Sequence, residues 1–408
     1  MTVPTLRFKE FDEGWSTSKI EEIAIVTSGG TPSRANECYW AGDIPWVTTS
    51  LVDFNVIQSA EEFITQEGLD NSSAKLFPQN TILMAMYGQG ITRGKVAILG
   101  IDATTNQACA AIKLKTNFDT QFIFQNLMNR YEEIRDLSNE GGQKNLSAGI
   151  IKEVEVNYPE KTEQTKIASF LSVVDEKISQ LNQKHHLLCD YKQGMMQKLF
   201  SQQIRFKADD GSEFGEWESL KMGSLCFRNY QGINTVADKV EYEKMGYPIL
   251  QAKHITSEKL DFNDSRFLSI VDFEKYKDKY IPKCNDILFS NIGTIGKVVL
   301  VQESKPFFIA WNIFLISVKT DLIVPMYLAT YLRWLTSLGY FDNLQTGNAT
   351  KFINKTDLLD TKVKLPCLEE QTKISNFLSA IDQKIETVAQ QIEQAKTWKK
   401  GLLQQMFV

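Results

Sequence analysis

The chain has 408 residues, 43% hydrophobic and 23% charged, with a formal net charge of −5. That length exceeds one ordinary domain, and no apolar run approaches the ~20 residues a membrane helix needs. A net acidic chain is no general polyanion binder, its six scattered cysteines without a CxxC pair read as reduced thiols, and three histidines are too few for an ordinary zinc site.

The opening stretch, MTVPTLRFKEFDEG, lacks the basic-then-apolar pattern of a signal peptide, so a cytoplasmic location is expected. Short β-branched and aromatic runs follow (DIPWVTT, TILMAMYG, KVAIL), broken by Gly, Pro and Asn, and these read as strands. A helical segment, TQFIFQNLMNRYEEIRDL, closes this front part. Residues 1–158 hold 13 Lys and Arg against 20 Asp and Glu, a balance of −7. At Glu163 the pattern changes. Apolar residues recur every third or fourth position at Leu171, Val174, Ile178, Leu181, Leu188, Met195 and Leu199, the seam of a coiled coil. His185 falls on that seam and reads as a polar residue that fixes register.

A second strand-rich stretch follows (YPIL, DILFS, KVVLV) with its own helical segment, VPMYLATYLRWLTSL. Residues 201–369 hold 21 basic and 21 acidic residues, a balance of zero. Then the seam returns at Leu378, Ile381, Ile385, Val388, Ile392, Leu402 and Met406. EQTKIASFLSVVDEK at Glu163 and EQTKISNFLSAIDQK at Glu370 are nearly the same line, and 16 of 38 positions agree without a gap from Glu163–Phe200 to Glu370–Phe407. RFK occurs at Arg7 and again at Arg205, and Pro159 matches Pro366. The chain is one unit written twice, with diverged fronts and well-matched tails. Gly194 and Gly401 interrupt the tail helices at about 1 kcal/mol each; close approach of a partner backbone would explain them.

Connectivity constrains the shape. A 38-residue helix is about 57 Å long, and the second front part both follows the first helix and feeds the second. The helices are therefore expected to run antiparallel, with the two globules ~50 Å apart in a pseudo-two-fold dumbbell. Two such globules would span on the order of 15 base pairs of DNA. The fold class is α+β: two strand-rich domains separated by two long antiparallel coiled-coil helices, with the boundaries 1–160, 161–203, 204–367 and 368–408.

This wording resembles the DNA specificity subunit of type I restriction–modification systems over essentially the full length. The most specific pieces are the tails PEKTEQTKIASFLSVVDEKI and PCLEEQTKISNFLSAIDQKI, their endings KQGMMQKLF and KKGLLQQMF, and the front motifs TSGGTPSRANECYW and GQGITRGKVAIL. The second front part departs from this, with RNYQGIN where the first has SGGTPSR. The resemblance implies that each front part is a target recognition domain reading one half of a bipartite site on double-stranded DNA. It implies that the helices set the gap and dock two methylation subunits that bind S-adenosylmethionine, that two ATP-dependent restriction subunits join, and that this subunit is non-catalytic and holds no cofactor.

The residues agree with that negative. No [DN]-P-P-[FYW] run or Pro-Asp dipeptide occurs, and no metal or catalytic set stands out. The two Gly-Lys pairs are not phosphate loops, because Gln89 and Asn291 stand where the first Gly is needed and Val96 and Val298 where Ser or Thr is needed. Base edges take Arg, Lys, Asn, Gln, Ser or Thr on loops. In the first domain the candidates for DNA contact are Thr31, Ser33, Arg34, Thr48, Thr49, Ser50, Gln89, Arg93, Lys95, Lys144 and Asn145. In the second they are Lys253, His254, Asn291, Thr294, Lys297, Lys351, Asn354 and Lys355. For each the plainer role is a solvated loop residue or a local turn bond. Trp46, Trp311 and Tyr331 read as core. The other class of function is a structural adaptor bridging protein partners, which the acidic first domain favours and the recurring Gly-rich polar loops disfavour.

Overall fold

The computed structural model describes residues 3–88, 91–137, 145–256, 259–303, 305–347 and 351–407. The chain divides into two compact units, residues 1–182 with 390–408 and residues 183–389.

In the first unit a five-stranded sheet runs in the order Ala24–Ser28, Cys109–Leu114, Ile82–Ala85, Val96–Leu99, Val56–Ile57. Its central strands, ILMA and VAIL, are buried at every position. A strand covered on both faces reads as a continuous apolar run rather than an alternating one. Alternate residues enter different cores. Ile82, Met84, Val96 and Ile98 pack with Phe122, Leu127 and Leu171, whereas Leu83, Ala85, Ala97 and Leu99 pack with Val47, Val52 and Phe77. A three-stranded sheet, Glu62–Ile64, Trp40–Val47 and Thr104–Thr105, includes a parallel pair, Trp46 opposite Thr104.

The second unit repeats this plan. Its main sheet runs Cys226–Gln231, Ile313–Val318, Ile287–Ser290, Val298–Leu300, and its small sheet Arg266–Leu268, Tyr247–Leu250, Phe308–Ile309, again with a parallel pair. The main sheet has one strand fewer, and the units also differ in the helix that follows the antiparallel strand of the small sheet. The first has a helix of 5 residues at Gln66–Asp70, the second one of 11 at Ile270–Tyr280.

Two long helices, α1 (Lys161–Phe200) and α2 (Leu368–Met406), carry the repeated tails. Each unit holds the start of one and the end of the other, packed antiparallel. In the first unit Phe170 lies 6.2 Å from Trp398 between ring centroids, and Lys399 pairs with Asp175 at 2.5 Å. In the second unit the same ion pair recurs 207 residues away from each partner, Lys192 with Asp382 at 2.6 Å. Every seam position is buried or half-buried. The close backbone approach expected at Gly194 and Gly401 is not made by this chain, since an added Cβ would meet nothing within 4 Å at either.

The start of each helix is locked to its domain. Arg7 donates from Nε and Nη2 to both carboxylate oxygens of Glu163, each at 2.7 Å, and from Nη2 to the Glu13 carbonyl. Arg205 does the same to Glu370 at 3.1 and 2.7 Å, and to the Gly215 carbonyl. Both carboxylates are 0% exposed. The adjacent glutamines finish the lock. Gln164 donates to the Pro159 carbonyl and accepts from the Asp119 amide, and Gln371 donates to the Pro366 carbonyl and accepts from the Val324 amide.

Removing one member of such a pair strands a buried charge. Glu163→Ala or Glu370→Ala should lower stability by about 3–5 kcal/mol, read as a shift of the denaturant midpoint. Replacing Arg7 and Glu163 together by Met should recover most of that loss. Equal midpoints for wild type and Glu163→Ala would show that the pair holds nothing.

Candidate nucleic-acid interface

In each unit a ladder of backbone hydrogen bonds gathers five loop segments at one end of the sheets. In the first unit Gly30 N–H donates to Thr105 O, Asn106 to Val47 O, Met86 to Ala108 O and Leu146 to Met86 O, at 2.8–3.1 Å. In the second Ile233 donates to Ile309 O, Ala310 to Leu250 O, Asn291 to Asn312 O and Ile353 to Asn291 O, at 2.8–3.2 Å. The two ladders match rung for rung. Glycine is required where the loops touch: a Cβ would fall 2.1 Å from Thr105 O at Gly29 and 2.3 Å from Ile309 O at Gly232.

The first unit's loops present a mixed polar and aromatic surface. Thr31 donates to Gln107 Oε1. Trp46 Nε1 donates to the Gly30 carbonyl at 3.0 Å and Trp40 Nε1 to the Ser33 carbonyl at 3.1 Å, so both indoles brace the loop that carries Arg34. The Arg34 guanidinium lies 3.6 Å from the Trp40 ring centroid and 4.9 Å from that of Trp46. It also forms a two-pronged pair with Glu62. That hydrogen bond raises the guanidinium pKa and holds the Glu62 carboxyl below its usual range. Thr48 and Ser50 hydroxyls bond to each other at 2.5 Å, and Thr49 begins the short turn Thr49–Leu51. Lys95 follows Gly94, whose φ is 84°, and pairs with Asp53 at 2.5 Å. Arg93 is turned inward at 9% exposure, with Nε donating to the Arg135 carbonyl at 3.1 Å. Asn145 is half-buried beside the last rung. Gln89 and Lys144 lie outside the described residues.

In the second unit Lys253 pairs with Asp264 at 2.7 Å on the turn Ala252–His254, the counterpart of Thr49–Leu51. His254 is buried and its Nδ1 accepts from the Gln251 amide at 2.8 Å. Burial, then the charge of Lys253, lowers its pKa, which favours neutral imidazole. Asn291 is also buried, with Nδ2 donating to the Ile353 carbonyl at 3.4 Å. Thr294 is exposed and Lys297 half-buried; Lys297 follows Gly296, whose φ of 85° matches that of Gly94. Lys351 is exposed, and its carbonyl accepts from the Gly293 amide. Asn354 caps the helix Lys355–Leu359 through the Asp357 amide, and Lys355 Nζ donates to the Asn229 carbonyl at 3.1 Å.

Three residues of these surfaces are not among the sequence candidates: Trp40, Glu62 and Gln107. Trp311 is expected in the core, with Trp46 and Tyr331. Trp46 and Tyr331 are buried, but Trp311 is 45% exposed, because the loop Ala310–Asn312 turns its side chain out beyond the sheet. Among the described residues no group of three or more His, Cys, Asp or Glu could hold a metal ion, and no helix is long and apolar enough to cross a membrane.

The profile of the type I restriction modification DNA specificity domain matches residues 12–188 and again residues 215–397. The chain belongs to this family. Each match covers one strand-rich domain and much of the long helix that follows it, so the duplication in the sequence is a duplication of the specificity domain. Among its relatives, the type I restriction enzyme MjaIX specificity subunit of Methanocaldococcus jannaschii is 28% identical over 296 residues, covering 67% of this chain and 68% of that one. The MjaVIII specificity subunit of the same organism is 22% identical over 409 residues, covering 96% and 91%. The solved type I restriction-modification S subunit from M. genitalium superposes with a TM-score of 0.60 at 16% identity, covering 100% of this chain and 99% of that one.

The glycine contacts give a direct test of the ladder. Gly232→Ala should cost about 1–3 kcal/mol by overpacking. It should also speed amide exchange at Ile309–Trp311 while leaving the first unit's exchange pattern unchanged. Wild-type exchange in that loop would mean the ladder tolerates a side chain there.

Proposed function

We propose that this chain is the DNA-recognition subunit of a type I restriction–modification complex, with each unit's loop cluster reading one half of a bipartite double-stranded DNA site. The observation that carries the reading is the rung-for-rung ladder furnished with different side chains. A conserved frame with diverged polar loops suits one task performed on two sequences. The long helices set the gap between the half-sites. Their matching tails offer equivalent docking places to two identical methylation subunits, which bring S-adenosylmethionine and the adenine-modifying chemistry. ATP-dependent restriction subunits join that core. The subunit itself is non-catalytic, binds no cofactor and works in the cytoplasm.

Electrostatics shape how it works. Arg34, Lys95 and Lys253 already face Glu62, Asp53 and Asp264. DNA must compete with these carboxylates, which penalises non-specific phosphate binding and leaves base contacts to decide the outcome. The −7 balance of the first domain has the same effect, so much of the affinity comes from basic surface on the partners.

The test uses the complex purified with its methylation subunits. Binding should weaken steeply, by at least about 10³-fold, between 50 and 200 mM salt. Arg34→Ala should cost about 1–3 kcal/mol on the cognate site and relax discrimination in one half-site only. Equal weakening on all sequences with a shallower salt slope would make Arg34 a phosphate contact. No affinity for DNA at low salt would sink the proposal.

A further inference from the structure

Positions 107 and 311 are the same place in the two units. Three backbone bonds fix the correspondence. Asn106 N–H donates to Val47 O as Ala310 does to Leu250 O. Cys109 donates to Asn106 O as Ile313 does to Ala310 O, and Met86 donates to Ala108 O as Asn291 does to Asn312 O. Between these anchors the backbone has no freedom to shift by one residue. What stands there differs completely in chemistry: an exposed Gln107 in one unit and a 45% exposed Trp311 in the other.

The neighbouring loop holds the Gln107 side chain in one unit and the Trp311 backbone in the other. Thr31 donates to Gln107 Oε1, and Gln231 Nε2 donates to the Trp311 carbonyl at 2.6 Å. The backbone beneath Trp311 is braced further, since Asn312 Oδ1 accepts from the Ala252 amide at 3.2 Å. A braced loop that leaves a large indole half in water gains nothing for its own core. Phe352 (38% exposed) stands on a segment joined to the same ladder, beside exposed Lys351. Exposed apolar rings on a polar loop surface, one of them next to a lysine, suit contact with base faces or methyl groups between phosphates.

We propose that position 107/311 is a specificity-determining contact, polar in one half-site and apolar in the other. This rests on the DNA-recognition reading above. Gln107 has both a donor and an acceptor, so it can pair with an adenine edge in the major groove. Trp311 has one N–H donor and no acceptor, so it cannot form that pair. It reads by apolar contact, through a thymine methyl or the face of an unstacked step. The two half-sites therefore differ at the base pair this position meets.

The test is single-molecule sequencing of DNA modified by the full chain with its methylation subunits. Trp311→Ala should relax one base pair of one half-site, lowering discrimination there roughly 5- to 150-fold, and leave the other half-site unchanged. Gln107→Ala should do the converse. Trp311→Phe keeps an apolar ring and should retain most of the discrimination, which separates loss of contact from loss of fold. An unaltered motif and rate with Trp311→Ala would overturn the inference. So would an equal loss in both half-sites at an unchanged melting temperature, which would assign Trp311 to assembly. If the wild-type complex writes no bipartite motif, the DNA-recognition reading itself has failed, and this inference with it.

Discussion

A carboxylate with no exposed surface tolerates only one environment, and the chain supplies it twice. Glu163 and Glu370 each sit in the first turn of a long helix, where the helix dipole favours negative charge. Each receives two N–H groups from an arginine near the start of its own unit. Buried charge demands this geometry, because desolvation is offset only when the partner is fixed and the remaining lone pairs are used. The adjacent Gln164 and Gln371 bond both to the strand exit and to the N-cap amide of an earlier helix, Asp119 in one unit and Val324 in the other. In each unit these bonds tie the start of the long helix to its own domain. A reader that must hold its loops against one stretch of DNA needs such a joint.

Once the joint is set, the rest of each unit diverges around a shared frame. The clearest case lies beneath the returning helix end. In the second unit Phe200 is surrounded by Tyr327, Tyr331 and Trp334, with centroid distances of 5.2–5.7 Å. In the first, Phe407 meets Phe122 at 5.1 Å, and Asn126 and Asn129 stand where Tyr331 and Trp334 do. Trp217 donates to Glu370, whereas Trp15, its counterpart, makes no such bond among the described residues. The interiors have thus diverged while the ion pairs Asp175–Lys399 and Lys192–Asp382 and the loop ladder have not. What persists is what positions the loops and the helices.

The long helices, their seam and the duplication were legible because they depend on local periodicity and on a repeat without gaps. The strands in TILMAMYG and KVAIL were legible because both faces are buried and the composition shows it, and DIPWVTT was legible from its β-branched and aromatic residues alone. The parallel pairings were not, since Trp46 and Thr104 are far apart in sequence and neither flanking pattern names the other. The basic loop residues were found by type, but their roles depend on partners. Arg93 and Asn291 have the residue types of DNA contacts but are buried, Arg93 bonding a carbonyl in the helix Tyr131–Asp136 and Asn291 the carbonyl of the loop residue Ile353. Trp311 went unread as a surface residue because exposure of an indole is set by the turn that carries it, and aromatic content alone points to the core.

The central claim is that one chain, through two units on a common frame, imposes two different half-sites at a fixed gap. Sequencing modified adenines across the genome of a strain with and without this gene tests it most directly. The account predicts a single motif of two unlike half-sites with an invariant spacer, present in the first strain and absent from the second. A motif that is continuous or palindromic, or a modification pattern indifferent to the gene, would contradict it.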